Sequence, residues 1–280
     1  MGNFQQIAWL SGIISGDGYI DDRHIDIFNS SPSILSTVLK CIKQTFPNTN
    51  IRVEIYNERQ SRNLINKWMK VLDTKNVRII PNTSPWKSNK ERLRIRVASK
   101  EMASQINQII VNWKNMSLEE KASFLKGLFD AEGSVDLKGY IEFKQANNKK
   151  GTKIFEIAVE ITKEFGIEIT KPNTKRDSNK TNFYFCVKNL EKFSELIGFV
   201  DEEKNDRLNK IISILKTRKA ITEKDIEKSL TDGRKTHEQI MLILNAPYYN
   251  VRTGLKNMVK NKRVEYEIVG NKYYYHLIAR

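Results

Sequence analysis

The sequence predicts an α+β protein built from two similar halves and a smaller C-terminal part. Three observations predict it. A nine-residue segment recurs in register; each copy is followed by the same succession of strand and helix signals; and the repetition ends near Thr217, leaving roughly sixty residues with a pattern of their own.

The repeated segments are LSGIISGDG (Leu10 to Gly18) and LKGLFDAEG (Leu125 to Gly133), which align without a gap at an offset of 115 residues. The matched pairs are Gly12 with Gly127, Gly16 with Ala131, Asp17 with Glu132, and Gly18 with Gly133. Asn3 with Gln6 and Ser117 with Glu120 fit a capping box at the start of each copy, so each segment reads as a helix. Ile7, Leu10, Ile13 and Ile14, like Phe124, Leu125, Leu128 and Phe129, recur at helical spacing and give each helix a face to bury.

Gly12 and Gly16 in one helix, and Gly127 and Ala131 in the other, form small-residue stripes along which two backbones approach closely, the natural partner of each stripe being the other copy. Gly18 and Gly133 are expected to end the helices in the left-handed conformation that glycine adopts cheaply. Asp17 and Glu132 then sit on the last turn, facing the negative end of the helix dipole, at a cost of up to about 1 kcal/mol. Two acids held there at equivalent positions point to function, and their mutual repulsion calls for a bound cation, a divalent metal being the natural candidate.

Strand signals follow at Tyr19 to Asn29, Ile51 to Tyr56 and Leu93 to Val97 in the first half, and at Ser134 to Gln145, Ile167 to Thr170 and Phe183 to Val187 in the second. Helical stretches at Ser33 to Thr45, Lys100 to Trp113, Ile154 to Phe165 and Leu190 to Ile197 intervene, giving an αββαββα unit per half, residues 1–115 and 116–218. Arg92, Arg94 and Arg96 alternate with Leu93, Ile95 and Val97, which places three guanidiniums on one sheet face. Lys171, Lys175, Arg176, Tyr184 and Lys188 supply a comparable set in the second half, so that the two sheets would make one basic saddle for a duplex.

Composition agrees with a polyanionic partner. Forty-eight Lys and Arg against 33 Asp and Glu give a net charge of +15, and 39% hydrophobic residues suffice for real cores. Cys41 and Cys186 lie far apart in apolar surroundings, and His24, His237 and His276 form no spaced ligand cluster with them, which argues against structural zinc. No stretch approaches the roughly 20 apolar residues of a membrane span and the N-terminus has no signal layout, so a soluble, intracellular protein is expected.

Residues 219–280 read as helices at Thr222 to Leu230, Thr236 to Leu244 and Tyr249 to Lys260, then a hairpin from Arg263 to Leu277 around Gly270-Asn271. This order is similar to a winged helix. Its third helix would turn Asn250, Arg252, Thr253, Lys256 and Asn257 toward a groove, with Lys272 and Tyr273 to Tyr275 on the wing.

The paired motifs resemble the LAGLIDADG family of homing endonucleases in its single-chain, two-motif form, over roughly Asn3 to Thr217. The resemblance implies a monomer folded as a pseudo-dimer, with the motif helices as central interface, the sheets in the DNA major groove, and Asp17 and Glu132 holding Mg2+ or another divalent cation such as Mn2+. It further implies hydrolysis of one phosphodiester on each strand of a long, asymmetric target. Asn29 and Gln145, with Lys144 beside it, match by position the family's polar residues that order the attacking water; Ser30, not a lysine, follows Asn29. Ser15 stands where the family commonly has an aspartate, whereas the second copy keeps Asp130. Two other functions fit the same features: a non-catalytic DNA-binding regulator, and an RNA maturase whose partner is its host intron. An intein is less expected, because Met-Gly and Leu-Ile-Ala-Arg stand where protein splicing requires a nucleophile and His-Asn.

Overall fold

We describe a computed structural model of the chain over residues 2–57, 62–72, 77–81, 92–177, 180–217 and 220–278. The chain forms two compact units, one of Met1–Ser134 with Glu142–Asn205, the other of Val135–Ile141 with Asp206–Arg280.

In the first half the order is α1 (Asn3–Asp17), β1 (Gly18–Ile20), β2 (His24–Asn29), α2 (Pro32–Thr45), β3 (Asn50–Asn57), α3 (Arg62–Leu72), β4 (Val77–Pro81), β5 (Arg92–Ala98) and α4 (Lys100–Val111). The second half runs α5 (Leu118–Glu132), β6 (Gly133–Asp136), β7 (Tyr140–Ala146), α6 (Lys149–Glu164), β8 (Asn173–Asp177), β9 (Lys180–Val187) and α7 (Leu190–Leu196), followed by α8 (Glu202–Thr217). The sheets are ordered β1-β2-β5-β3-β4 and β6-β7-β9-β8. They coincide once β4, which runs parallel to β3, is set aside. The tandem αββαββα fold is therefore present, and the first half carries α3 and β4 as an addition that the repeat did not announce.

The start of α5 follows expectation: Ser117 Oγ accepts from Glu120 N at 3.2 Å, and Glu120 Oε2 accepts from Ser117 N at 2.7 Å. The start of α1 does not, because Asn3 is already helical and the cap is Gly2, whose N–H reaches Gln5 Oε1 at 3.2 Å. Gly18 and Gly133 also differ from expectation. Both are extended (φ −119° and −82°), because the chain passes directly from helix into β1 or β6. Glycine is needed there for space: a Cβ at Gly18 would lie 2.7 Å from Ile14 O, and one at Gly133 2.5 Å from Phe129 O.

The predicted strand at Ile167 to Thr170 reduces to a single bridge between Ile169 and Val187; the strand itself is β8, whose sequence NTKRD is polar throughout. β8 is an edge strand hydrogen-bonded to β9 on one side, so its pairing comes from backbone groups and carries no apolar alternation.

The two cores differ in chemistry. Around α1 lie Ile13, Ile14, Ile25, Ile27, Leu35, Val38 and Ile95, whereas around α5 the rings of Phe129, Phe143, Phe155, Phe185 and Phe193 pack on one another at 4.8–6.3 Å. Cys41 is buried and Cys186 half-buried, both as free thiols; burial pushes the Cys41 thiol up to about 11.

The second unit has its own core. Ile214 of α8 packs with Ile226, Leu230, Ile240, Met241, Val251, Leu255, Met258 and Val264 of α9 (Glu223–Leu230), α10 (His237–Leu244), α11 (Tyr248–Lys260) and β11 (Val264–Val269). β10 (Lys235–Thr236) and β12 (Lys272–Leu277) complete a sheet of order β10-β12-β11. The expected helices and hairpin are all present, each within a residue or two. No helix among the described residues is long and apolar enough to cross a membrane.

Candidate functional site

The site begins with how closely α1 and α5 approach. A Cβ on Gly12 would stand 2.2 Å from Phe124 O, and one on Gly127 2.2 Å from Trp9 O. Phe124 is Trp9 displaced by the repeat offset, so the two clashes are one contact seen from each side of a pseudo-twofold axis. The small-residue stripes are thus the interface, and they bring the last residues of both helices to one place. A Cβ on Gly16 would lie 2.5 Å from Ala131 Cβ and 3.0 Å from Glu132 Cγ, which seats the Glu132 side chain against the backbone immediately before Asp17.

Asp17 Oδ2 accepts from Asn29 Nδ2 at 2.8 Å, and Asn29 Oδ1 accepts from Ser31 N at 2.7 Å, so the end of β2 fixes this carboxylate. Glu132 is pushed up to about 7, first by burial and then by repulsion from Asp17, with Lys204 and Lys150 acting the other way. That is the electrostatic signature of two acids sharing one site.

Two lysines that sequence reasoning missed close the site. Lys150, in the first turn of α6, donates from Nζ to Gly18 O at 2.9 Å and to Ile14 O at 3.4 Å. Lys204, in the first turn of α8, donates to Asp130 O at 2.5 Å and Phe129 O at 3.3 Å. Ile14 and Phe129 are equivalent positions of the repeat, so each motif helix has its C-terminal carbonyls covered by one ammonium, although the donors come from unrelated elements. Burial holds both lysines below their ordinary pKa, and the neighbouring carboxylates oppose that shift. Sequence offers no signal for either, because the capped helix is distant in the chain from the lysine that caps α1 and is met by Lys204 only through the fold.

Asp130 is buried, and its carboxylate accepts from Trp9 Nε1 at 2.9 Å, Val200 N at 2.9 Å and Asp201 N at 3.0 Å. Burial pushes it up to about 6 against these donors and Lys204.

The other expected site residues fall in separate places. Gln145 shares the buried face of β7 with Ile141 and Phe143, and its Oε1 accepts from Ala146 N at 3.1 Å. Lys144 points to the opposite strand face, where it pairs with Glu142 at 3.3 Å. Asn29 is joined by the fold to a motif carboxylate, that of Asp17, whereas Lys144 is paired with Glu142.

On the open face of the first sheet, Arg94 lies between Asp26 (2.7 Å) and Glu54 (3.4 Å), and Arg96 forks onto Asp26 at 2.8 and 2.9 Å. Asp26 and Glu54 are buried beneath them, and Arg52 also reaches Glu54 at 2.9 Å. These acids order the guanidiniums and cancel part of their charge. In the second half Lys171 and Lys188 are exposed, Lys188 pairing with Glu168 at 3.1 Å, and Tyr184 is half-buried. The side chains of Arg92, Lys175 and Arg176 lie outside the described residues. In the second unit Arg252, Lys256 and Lys272 are exposed.

Whether this geometry suits a metal depends on the donor set. Among the described residues no cluster of three or more His, Cys, Asp or Glu side chains is placed to hold an ion. Two carboxylates alone fit Mg2+, which keeps several waters and takes further oxygens from substrate phosphates.

Comparison with known proteins bears on the same region. A family profile described as LAGLIDADG-like domain matches residues 119–198. A search of curated proteins finds no significant match. Among solved structures, a mesophilic variant of the homing endonuclease I-DmoI is 16% identical, with TM-score 0.49 over 70% of this chain and 91% of that one. I-DmoI in complex with DNA and Mn is likewise 16% identical, with TM-score 0.48 over 70% and 97%. Full-length DUF199/WhiA from Thermatoga maritima is 15% identical, with TM-score 0.47 over 93% and 92%. Residues 119–198 are thus similar to a LAGLIDADG-like domain, and the first half repeats the element order of that region.

Proposed function

We propose that the protein is a divalent-metal-dependent DNA endonuclease that cuts both strands of a long, asymmetric site as a monomer. The observation that carries this reading is the meeting of Asp17 and Glu132, equivalent last residues of two helices, with Glu132 pushed up to about 7 partly by Asp17. An acid pair assembled across a pseudo-twofold axis costs stability and gains nothing structural that one acid would not supply.

Asp17 and Glu132 would hold Mg2+ or Mn2+ together with phosphate oxygens of the bound strand. Such an ion supplies an activated water and charge stabilisation at the leaving oxygen. Asn29 orients Asp17 through its amide. Arg94 and Arg96, held by Asp26, present ordered donors to a duplex on the sheet. The second unit, with three helices and a hairpin in winged-helix order, would add duplex contacts through Arg252, Lys256 and Lys272. The basic side chains Arg92, Lys171, Lys175, Arg176 and Lys188, with Tyr184, complete the proposed surface.

One observation favours a second reading, a DNA-binding regulator without catalysis: Lys150 and Lys204 offset part of the acid pair's charge from within the chain. A randomised plasmid library incubated with the protein in Mg2+ and in excess chelator separates the two. Discrete double-strand ends that require Mg2+ and disappear in Asp17→Asn and Glu132→Gln establish the endonuclease. Sequence-selective retention of duplex without ends establishes the regulator, and selective retention of intron RNA in place of duplex points to a maturase.

A further inference from the structure

The acid site carries cations of its own. Lys150 faces Glu132, and Lys204 faces Asp130 and Asp201 as well as Asp17 and Glu132, so two ammoniums stand at the helix ends where the acid pair meets. Neither lysine can swing away freely, since each Nζ is tied to two carbonyl oxygens. A cation entering the free protein would therefore meet two fixed ammoniums, and would find two carboxylates as its side-chain ligands.

A duplex changes both terms. Its phosphates add negative charge beside the acids and oxygen donors of the kind a hard cation needs. We infer that Lys150 and Lys204 are positioning residues that keep the free protein metal-poor, so that divalent metal is loaded only together with DNA. This rests on the endonuclease reading. Its consequence is that the protein away from a target carries no metal-loaded nuclease centre, and the chain itself, through two lysines outside the repeated motif helices, enforces the order.

The test is a titration of the full chain with Mn2+, free ion being followed by electron paramagnetic resonance in the absence of DNA. Wild type is compared with Lys150→Gln, Lys204→Gln, the double variant, and the charge-keeping Lys150→Arg and Lys204→Arg, all checked for folding by circular dichroism. Removing one ammonium near the acids is expected to tighten Mn2+ binding roughly tenfold or more, whereas the Arg variants stay at the wild-type value. Adding Glu132→Gln to the double variant then abolishes the gain. A merely structural cap predicts the opposite pattern, weaker folding with unchanged or weaker Mn2+ binding. Should one Gln variant fail to fold, the other carries the comparison, because both lysines act on the same pair. Wild type that binds Mn2+ through Glu132 without DNA as tightly as the Gln variants do overturns the inference and leaves the metal site standing. Absence of Mn2+ binding in every form, with and without a duplex retained from the library, overturns the endonuclease reading as well.

Discussion

Asp130 and its counterpart Ser15 show how a single position is settled by what faces it. In the second copy Trp9 Nε1 is available, so a buried aspartate has a donor across the interface. By the repeat offset the residue facing Ser15 is Phe124, which has no donor; Ser15 instead gives its hydroxyl proton to Ser11 O at 2.7 Å. The departure from the family pattern at Ser15 was legible in the sequence, but its reason was not, since it lies in a residue of the other helix. Trp9→Phe should cost about 1–3 kcal/mol by leaving a buried acceptor short of a donor. Trp9→Phe combined with Asp130→Ser should cost less than the sum of the two single changes, as read from denaturant unfolding. Glu132 gives a pH-dependent prediction. Its folded pKa of about 7 lies above the 4.5 of a free side chain, so the metal-free native state keeps a proton that the unfolded chain releases between those values. Stability from this group is therefore full below about pH 4.5 and is lost as pH rises to 7, by at most about 3 kcal/mol. Glu132→Gln should flatten that part of the stability-against-pH curve; an unchanged slope would show that Glu132 is not the group responsible.

At the scale of elements, the motif helices were the most legible feature, because the stripe of small residues, the terminal acids and the constant offset all describe one contact. Gly12→Ala or Gly127→Ala places a Cβ 2.2 Å from a backbone carbonyl that cannot turn away, so α1 and α5 must separate, at about 3 kcal/mol or more. Gly16→Ala meets side-chain atoms of Ala131 and Glu132 instead. Because Ala131 Cβ is fixed to its backbone, Gly16→Ala should also cost stability, and it displaces Glu132 as well, so cleavage should fall further than in Gly12→Ala for the same loss of unfolding midpoint; calorimetry and a cleavage assay on the same two variants check the contrast. The strands were legible where one face is buried, as in Ile25, Ile27, Leu93, Ile95 and Val97. Edge strand β8 was misplaced because its sequence NTKRD is polar throughout and carries no alternation. The α3 insertion escaped notice although Trp68 and Leu72, four apart, are its buried anchors. The repeat drew attention to what the halves share, and α3 with β4 is what they do not.

For the whole molecule, charge indicated a polyanion but not which surface meets it. The excess of +15 is spread over both units, and in the first sheet Asp26 and Glu54 take up part of the arginine charge, an effect invisible until strands β2, β3 and β5 are paired. The elements of the second unit were legible to within a residue or two, because caps at Thr222 and Thr236 and the turn at Gly270 mark their ends. What that unit touches is a separate matter that charge removal can decide. Each phosphate contact contributes a slope of about −0.9 to the dependence of log affinity on log salt. If α11 lies on the duplex, Arg252→Ala with Lys256→Gln should make that slope shallower by about 2 and weaken binding to target and non-target DNA alike. The position of the cut should not change, because Asp17 and Glu132 belong to the other unit. Fluorescence anisotropy across a KCl series, with the ends mapped in parallel, reads both quantities. An unchanged slope would remove α11 from the DNA surface and leave the second unit free for a protein partner.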